Sequence, residues 1–285
     1  MDSHAYHDKY YRYDCLVAAN AHTIFSPAED ILAQLDNFYA KHNDWIFGHL
    51  GYDLKNEIDG LQSIHDNKIG FPDVFFFVPS VVLILKGSML AIESIAVDPG
   101  VIFNEITAEI YVPDANSVNS NIQLNAALSK PEYVEAIQKL QQHILRGDCY
   151  EINFCQEFFA ENINIYPLVT YIKLLEISPT PFSCFYKLND RYLLCASPER
   201  FLSKINNTIF SQPIKGTAPR GENEILDKIE KDNLSRNKKE QSENVMIVDL
   251  VRNDLSKICI EGSVEAEELF AVYSFPQVHQ MISTV

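Results

Sequence analysis

Apolar positions along this chain recur at two periods, and the switches between them mark its elements. Asp14 to Ala19 carries a strand pattern. Ser26-Pro27-Ala28-Glu29 has the form of a capping box with proline at the first helical position, and Ile31, Leu32, Leu35, Phe38 and Tyr39 follow at helical spacing, predicting a helix to about His42. Trp45 to Tyr52 is an apolar stretch holding Gly48 and Gly51, which predicts a strand with close backbone approach. Phe75 to Lys86 and Met89 to Val97 flank Gly87-Ser88 as a hairpin, and Val101 to Val112 adds a further strand. Pro113 to Leu128 is rich in Asn, Ser and Ala without periodicity and reads as a linker.

Beyond the linker, Ser129-Lys130-Pro131-Glu132 is a second capping box. It opens a helix striped by Tyr133, Ile137, Leu140 and Ile144 and stopped at Gly147. Tyr150 to Phe159 alternates as a strand and Leu168 to Ile177 is helical. Phe182–Leu188 with Arg191–Ala196, and Phe201–Ile205 with Thr208–Gln212, flank Asn189-Asp190 and Asn206-Asn207 as two more hairpins. Helices are expected over Glu222–Leu234 and Asn237–Leu255, the second burying Val245, Val248, Leu250, Val251 and Leu255. Hairpin strands with helices set between them predict an α+β fold rather than a parallel α/β sheet.

The 285 residues are 47% apolar, enough for a substantial core and against wholesale disorder. A net charge of −16 argues against nucleic acid and against an anionic membrane as partner, because both require a basic surface. It leaves room for an anionic small substrate, since a few placed cations and a metal reverse the local field. Six cysteines without a C-x-x-C spacing predict reduced thiols and a cytoplasmic protein. The start, Met-Asp-Ser-His-Ala-Tyr-His, lacks the basic and apolar regions of a signal peptide, and no apolar run reaches the ~18 residues of a spanning helix.

Charge meets apolar sequence most often between Ser197 and Asp254, and ionisable groups among apolar neighbours require partners or a task. Glu199 ends an apolar run. Lys215 stands between Pro213-Ile214 and Gly216-Thr217, a shaped turn in which a desolvated lysine can act as nucleophile or base. Glu240 and Glu243, one helical turn apart, share a face and could share a hard divalent ion. Each has a structural alternative: Glu199 a cap or a partner of Arg200, Lys215 an exposed loop lysine, the glutamates a solvated face beside Lys238 and Lys239. Arg252 and Asp254 read as a salt bridge, and His279 as a satisfied core histidine.

These motifs, in order, resemble those of the chorismate-utilising enzymes, which include the first components of anthranilate synthase and of aminodeoxychorismate synthase together with isochorismate and salicylate synthases. Gly147-Asp148-Cys149-Tyr150-Glu151-Ile152-Asn153 is similar to the family's G-D-x-Y-Q-x-N, and Ser178-Pro179-Thr180-Pro181-Phe182 to N-P-x-P-[FY]. S-P-E-R-F at 197–201 and S-E-N-V-M-I-V-D-L-V-R-N-D-L at 242–255 match with few changes, and Gly48 to Asp53 matches more weakly. Lys215 in P-I-K-G-T stands where anthranilate synthases carry alanine and the aminodeoxychorismate synthases carry lysine.

The resemblance implies antiparallel sheets packed face to face with helices outside. It also implies an N-terminal region at 1–112, a linker at 113–128 and a chorismate-binding domain at 129–285. It implies conversion of chorismate and ammonia to 4-amino-4-deoxychorismate, toward 4-aminobenzoate and folate, with anthranilate synthesis as the alternative. Carried over, Lys215 attacks C2 as the C4 hydroxyl leaves, ammonia then adds at C4 and expels the lysine, and Glu199 is the general acid and base. Glu240 and Glu243 hold Mg²⁺, Gly216, Thr217 and His279 line the substrate, and a glutamine amidotransferase subunit supplies ammonia. Asn244 replaces the family's usual histidine, and no L-L-E-S segment marks a tryptophan pocket. The family's G-S-[IV]-T-G-A-P-K segment and its further acidic ligands are absent, so the expectation is a fold incomplete at the C-terminus, inactive unless another chain completes the site.

Overall fold

A computed structural model describes residues 1–6, 9–109 and 122–285. The architecture is α+β: helices and strands, and among the described residues every strand pairs antiparallel. Two compact units emerge, one formed by Met1–Tyr111 with Tyr171–Val285, the other by Val112–Thr170. Among the described residues no helix is long and apolar enough to cross a membrane. All six cysteines are free thiols.

In the first unit, β1 (Cys15–Phe25), β2 (Phe47–Leu50), β3 (Val74–Lys86) and β4 (Met89–Ser94) form a sheet with β3 paired to the other three. Gly48 is required in it: a Cβ there would fall 1.9 Å from the Phe75 carbonyl oxygen, the close approach that its place in an apolar stretch predicts. Phe25, Ile31, Leu54 and Val74 form the core against this sheet. Asp2 bridges both Cys15 and Ser183, so the N-terminal residues tie β1 to the hairpin of β7 (Phe182–Leu188) and β8 (Arg191–Ser197). Asn189 and Asn206 take left-handed φ values of 55° and 53° in their hairpin turns, conformations asparagine tolerates. The second hairpin pairs β9 (Arg200–Ile205) with β10 (Thr208–Gln212).

A three-stranded sheet places β13 (Val278–Thr284) between β11 (Ile214–Pro219) and β12 (Glu268–Ser274). Helices α6 (Glu224–Arg236) and α7 (Lys238–Ser256) pack on it. Ala218, Leu234 and Met281 form one buried cluster beneath them, and Val248, Leu255 and Val285 another. The second unit holds α4 (Lys130–Arg146), opened by the reciprocal Ser129–Glu132 box and ended at Gly147 with φ 81°, as its sequence predicts.

Several local expectations are corrected. Ser26 does not cap α1 (Ile31–His42): its hydroxyl donates to the Val74 carbonyl at 3.1 Å, and Glu57 from a neighbouring helix accepts the Ile31 N–H at 2.7 Å. Residues 101–108 are helical, not extended, within α3 (Pro99–Ala108), because Asp98 accepts the Gly100 N–H and Pro99 presets the first turn; residues 110–112 lie outside those described. The strand expected over Tyr150–Phe159 shrinks to β6 (Phe158–Phe159), paired with β5 (Asn125–Ala126) inside the expected linker. Tyr150 is exposed, and an alternating pattern with no partner strand has no ladder to join. Most of the linker, 113–121, lies outside the described residues. Helix α7 buries Asn244, Val248 and Leu255, while Val245 and Leu250 face solvent. Arg252 pairs with Asp249 at 2.7 Å and Asp254 with Lys257 at 2.8 Å, not with each other.

Candidate active site

The site is built where β11 departs from its ladder. Ile214 pairs with Ile282 but Thr217 with Gln280, so three steps on β11 oppose two on β13. The extra residue is a β-bulge at Lys215-Gly216, and bulges re-aim side chains. Gly216 absorbs it with φ +99°, a conformation that disfavours a side chain. A Cβ there would lie 3.2 Å from both Cβ and Oε2 of Glu240 and 3.3 Å from the Met281 Cβ. The bulge therefore brings the Lys215-Gly216 backbone against the first turns of α7.

Glu199 arrives from the corner between β8 and β9. Its N–H donates to the Ser197 hydroxyl at 3.2 Å, and its carboxylate accepts the Ile214 N–H at 3.1 Å, next to Lys215. Glu199 itself is exposed, while the adjacent Arg200 turns its guanidinium over the rings of Phe182 and Phe210. Helix α7 is started by Asn237, whose side chain accepts the N–H groups of Lys239 and Glu240. Glu240 and Glu243 then project from one face. The Lys239 ammonium lies between them, 3.4 Å from a Glu240 oxygen and 2.8 Å from a Glu243 oxygen. The hydrogen bond to Glu243, then that to Glu240, hold its pKa above the ordinary lysine value.

Thr217 donates across the ladder to the Gln280 amide oxygen at 2.8 Å. His279 is wholly buried beside Ala218, its Nδ1 2.9 Å from the Ser274 hydroxyl and its Nε2 3.1 Å from Asp227. Asp227 is gripped in turn by the Arg220 guanidinium at 2.6 and 2.7 Å, which holds its pKa well below the usual carboxylate range. The Lys215-Gly216 bulge thus meets Glu240 at Gly216 and Glu199 through the neighbouring Ile214, with Glu243 on the same face of α7 as Glu240 and Thr217 next along the strand. The His279 ring, with both nitrogens engaged, belongs to the Arg220–Asp227 network.

Two neighbours of this site were not singled out as functional from sequence. Lys239 counted only against a metal, and Asn244 only as a substitution for histidine. Asn244 is fully buried, and its place four residues after Glu240 and four before the buried Val248 was the available signal. A cavity of about 700 Å³ lined by Tyr10, Phe210, Leu255 and Val285 contains none of the candidate residues.

Residues 5–285 match the family model of chorismate binding enzymes, and the chain belongs to that family. It is 31% identical over 246 residues to aminodeoxychorismate synthase component 1 of Escherichia coli (strain K12), covering 84% of this chain and 52% of that protein. It is 28% identical over 252 residues to anthranilate synthase component 1 of Thermus thermophilus, covering 84% and 54% respectively. The chain thus spans about half the length of these relatives. Among solved structures, anthranilate synthase component I of Streptococcus pneumoniae superposes with a TM-score of 0.77 at 21% identity, covering 98% of this chain and 69% of that one, which establishes the shared fold.

Proposed function

We propose that this protein aminates chorismate at C4, as an aminodeoxychorismate synthase component I acting in the cytoplasm. The observation that carries the reading is Lys215 itself, in the bulge whose Gly216 lies against Glu240 of α7. The relative named aminodeoxychorismate synthase component 1 supports the same choice.

In this reading the Lys215 amine bonds to C2 of chorismate as the C4–oxygen bond breaks, the two conjugated double bonds shifting from C1–C2 and C5–C6 to C1–C6 and C4–C5. Glu199, beside Lys215, gives the proton with which the hydroxyl leaves as water. Ammonia then forms the C4–nitrogen bond, the C2–nitrogen bond breaks, and Glu199 takes up the surplus proton. Gly216 and Thr217 line the ring's seat, while His279, buried with both ring nitrogens engaged, supports β13 behind it.

The donor set fits Mg²⁺. Glu240 and Glu243 are hard oxygen donors on one helix face, and the Lys239 ammonium between them is a stand-in cation. Mg²⁺ commonly takes one or two protein carboxylates and completes its shell with substrate oxygens and water. Bound there, it would neutralise the ring carboxylate of a substrate that a strongly acidic protein otherwise repels.

Ammonia would come from a glutamine amidotransferase subunit. The test is product separation after a form that also carries the family's G-S-[IV]-T-G-A-P-K segment is incubated with chorismate, Mg²⁺ and ammonium. The expected product is 4-amino-4-deoxychorismate, with glutamine replacing ammonium only when an amidotransferase subunit is added. Anthranilate as the main product would overturn the C4 assignment and favour the tryptophan-pathway chemistry of the Thermus relative. Turnover of glutamine without any such subunit would overturn the partner.

A further inference from the structure

We propose that Asn244 is the positioning residue that fixes Lys215 relative to the glutamate face of α7, an inference that rests on Lys215 being the reactive amine. A bulge interrupts the β11 ladder at Lys215-Gly216, and interrupted ladders leave backbone groups to be satisfied from elsewhere. The Asn244 amide supplies that. Its Nδ2 donates to the Lys215 carbonyl at 3.3 Å and to the Met281 carbonyl at 3.4 Å, and its Oδ1 accepts from the Ser283 hydroxyl at 2.5 Å. One side chain on α7 thus holds the bulged strand and its neighbour together.

Its place on the helix gives this clamp its consequence. Asn244 follows Glu240 by four residues and Glu243 follows Glu240 by three, so Glu240 neighbours both on the surface of α7. Glu240 and Glu243 move with the helix, and Lys215 moves with the bulge. Asn244 is the hydrogen bond that joins the helix to the carbonyl of the reactive residue. Asn244 itself is fully buried. An asparagine suits the position because it presents two donors toward two carbonyls and one acceptor toward a hydroxyl. An aspartate of the same shape would turn oxygen toward both carbonyls.

The experiment reads the lysine directly, without chorismate. The 285-residue protein is exposed briefly to an amine-acylating reagent at fixed pH, and the modification rate of each lysine is followed by peptide mass spectrometry. Asn244→Asp should change the Lys215 rate at least about threefold, the scale of one lost hydrogen bond, while Lys204 and Lys231 keep theirs. Ser283→Ala removes the bond to Oδ1 but spares the Lys215 carbonyl, and should leave the Lys215 rate unchanged. Asn244→Ala, which adds no charge, decides the question if the aspartate variant does not fold. An unchanged Lys215 rate in a folded Asn244 variant, or an equal change in Ser283→Ala, overturns the proposal. The product assay judges the amination reading separately: if it fails while the labelling pattern holds, Asn244 still positions the lysine.

Discussion

Gly216→Ala probes the centre of the site with one methyl group. Two costs arise there and they can be separated. At φ +99° an alanine suffers the left-handed backbone penalty, about 1–2 kcal/mol. Its methyl would also stand 3.2 Å from the Glu240 Cβ and Oε2 and 3.3 Å from the Met281 Cβ, closer than ordinary contact. The Glu240 carboxylate is the free end of a side chain and can swing away. The two Cβ atoms are fixed to α7 and β13 and yield less. Overpacking of this kind costs about 1–3 kcal/mol. Gly262→Ala isolates the first cost, because Gly262 has φ +77° with nothing within 4 Å of its would-be Cβ. Urea unfolding at one pH should therefore rank Gly216→Ala as about 2–5 kcal/mol destabilising and Gly262→Ala as about 1–2 kcal/mol. Gly216→Ala should also weaken Mn²⁺ binding, since the displaced group is a proposed metal ligand. Equal destabilisation in the two variants would refute the close packing of the bulge on α7.

Two further perturbations test the charges around the site. Lys239→Met removes the ammonium between Glu240 and Glu243 and should tighten Mn²⁺ binding about two- to fivefold, the range of an exposed ion pair, whereas Glu240→Gln or Glu243→Gln should weaken it; identical affinity in all three variants would dismiss this face as a cation site. Asp227, whose folded pKa is depressed first by its Arg220 hydrogen bond, contributes stability above its unfolded value of about 4 and loses it as pH falls through that value toward the folded one. The stability advantage of the native protein over Asp227→Asn should accordingly shrink on acidification through pH 4, and an advantage constant with pH would refute the Arg220–Asp227 coupling.

Much of the fold was legible because its signals are local. The hairpins at Asn189-Asp190 and Asn206-Asn207, the Ser129–Glu132 box and the Gly147 stop each depend on residues within a few positions of one another. The errors fall where the deciding partner is distant. The start of α1 is satisfied by Glu57, 26 residues on from Ile31, so Ser26 was the wrong cap. Tyr150–Phe159 alternates like a strand, yet only its last two residues find a partner. The α3 error is different in kind: Asp98-Pro99 was a local helix start, outweighed by a run of apolar residues. In the site, the residue types of Lys215, Glu199, Glu240 and Glu243 could be picked out from motifs. The bulge that sets Gly216 against α7 and the Asn244 clamp could not, because each arises from register and packing between segments tens of residues apart. Asn244 buried where a hydrophobic stripe was expected shows the limit of periodicity, which marks the face that is buried and not the hydrogen bonds made there.

The central claim is that Lys215 becomes covalently bound to the ring. A form that also carries the family's G-S-[IV]-T-G-A-P-K segment is mixed with chorismate and Mg²⁺ in the absence of ammonium, quenched and digested, and the peptide carrying Lys215 is examined by mass spectrometry. An adduct of chorismate less one water is expected on Lys215, and it should disappear when ammonium is added as 4-amino-4-deoxychorismate forms. Formation of that product with no adduct at Lys215 under ammonium-free conditions, or with the adduct on another lysine, would contradict it.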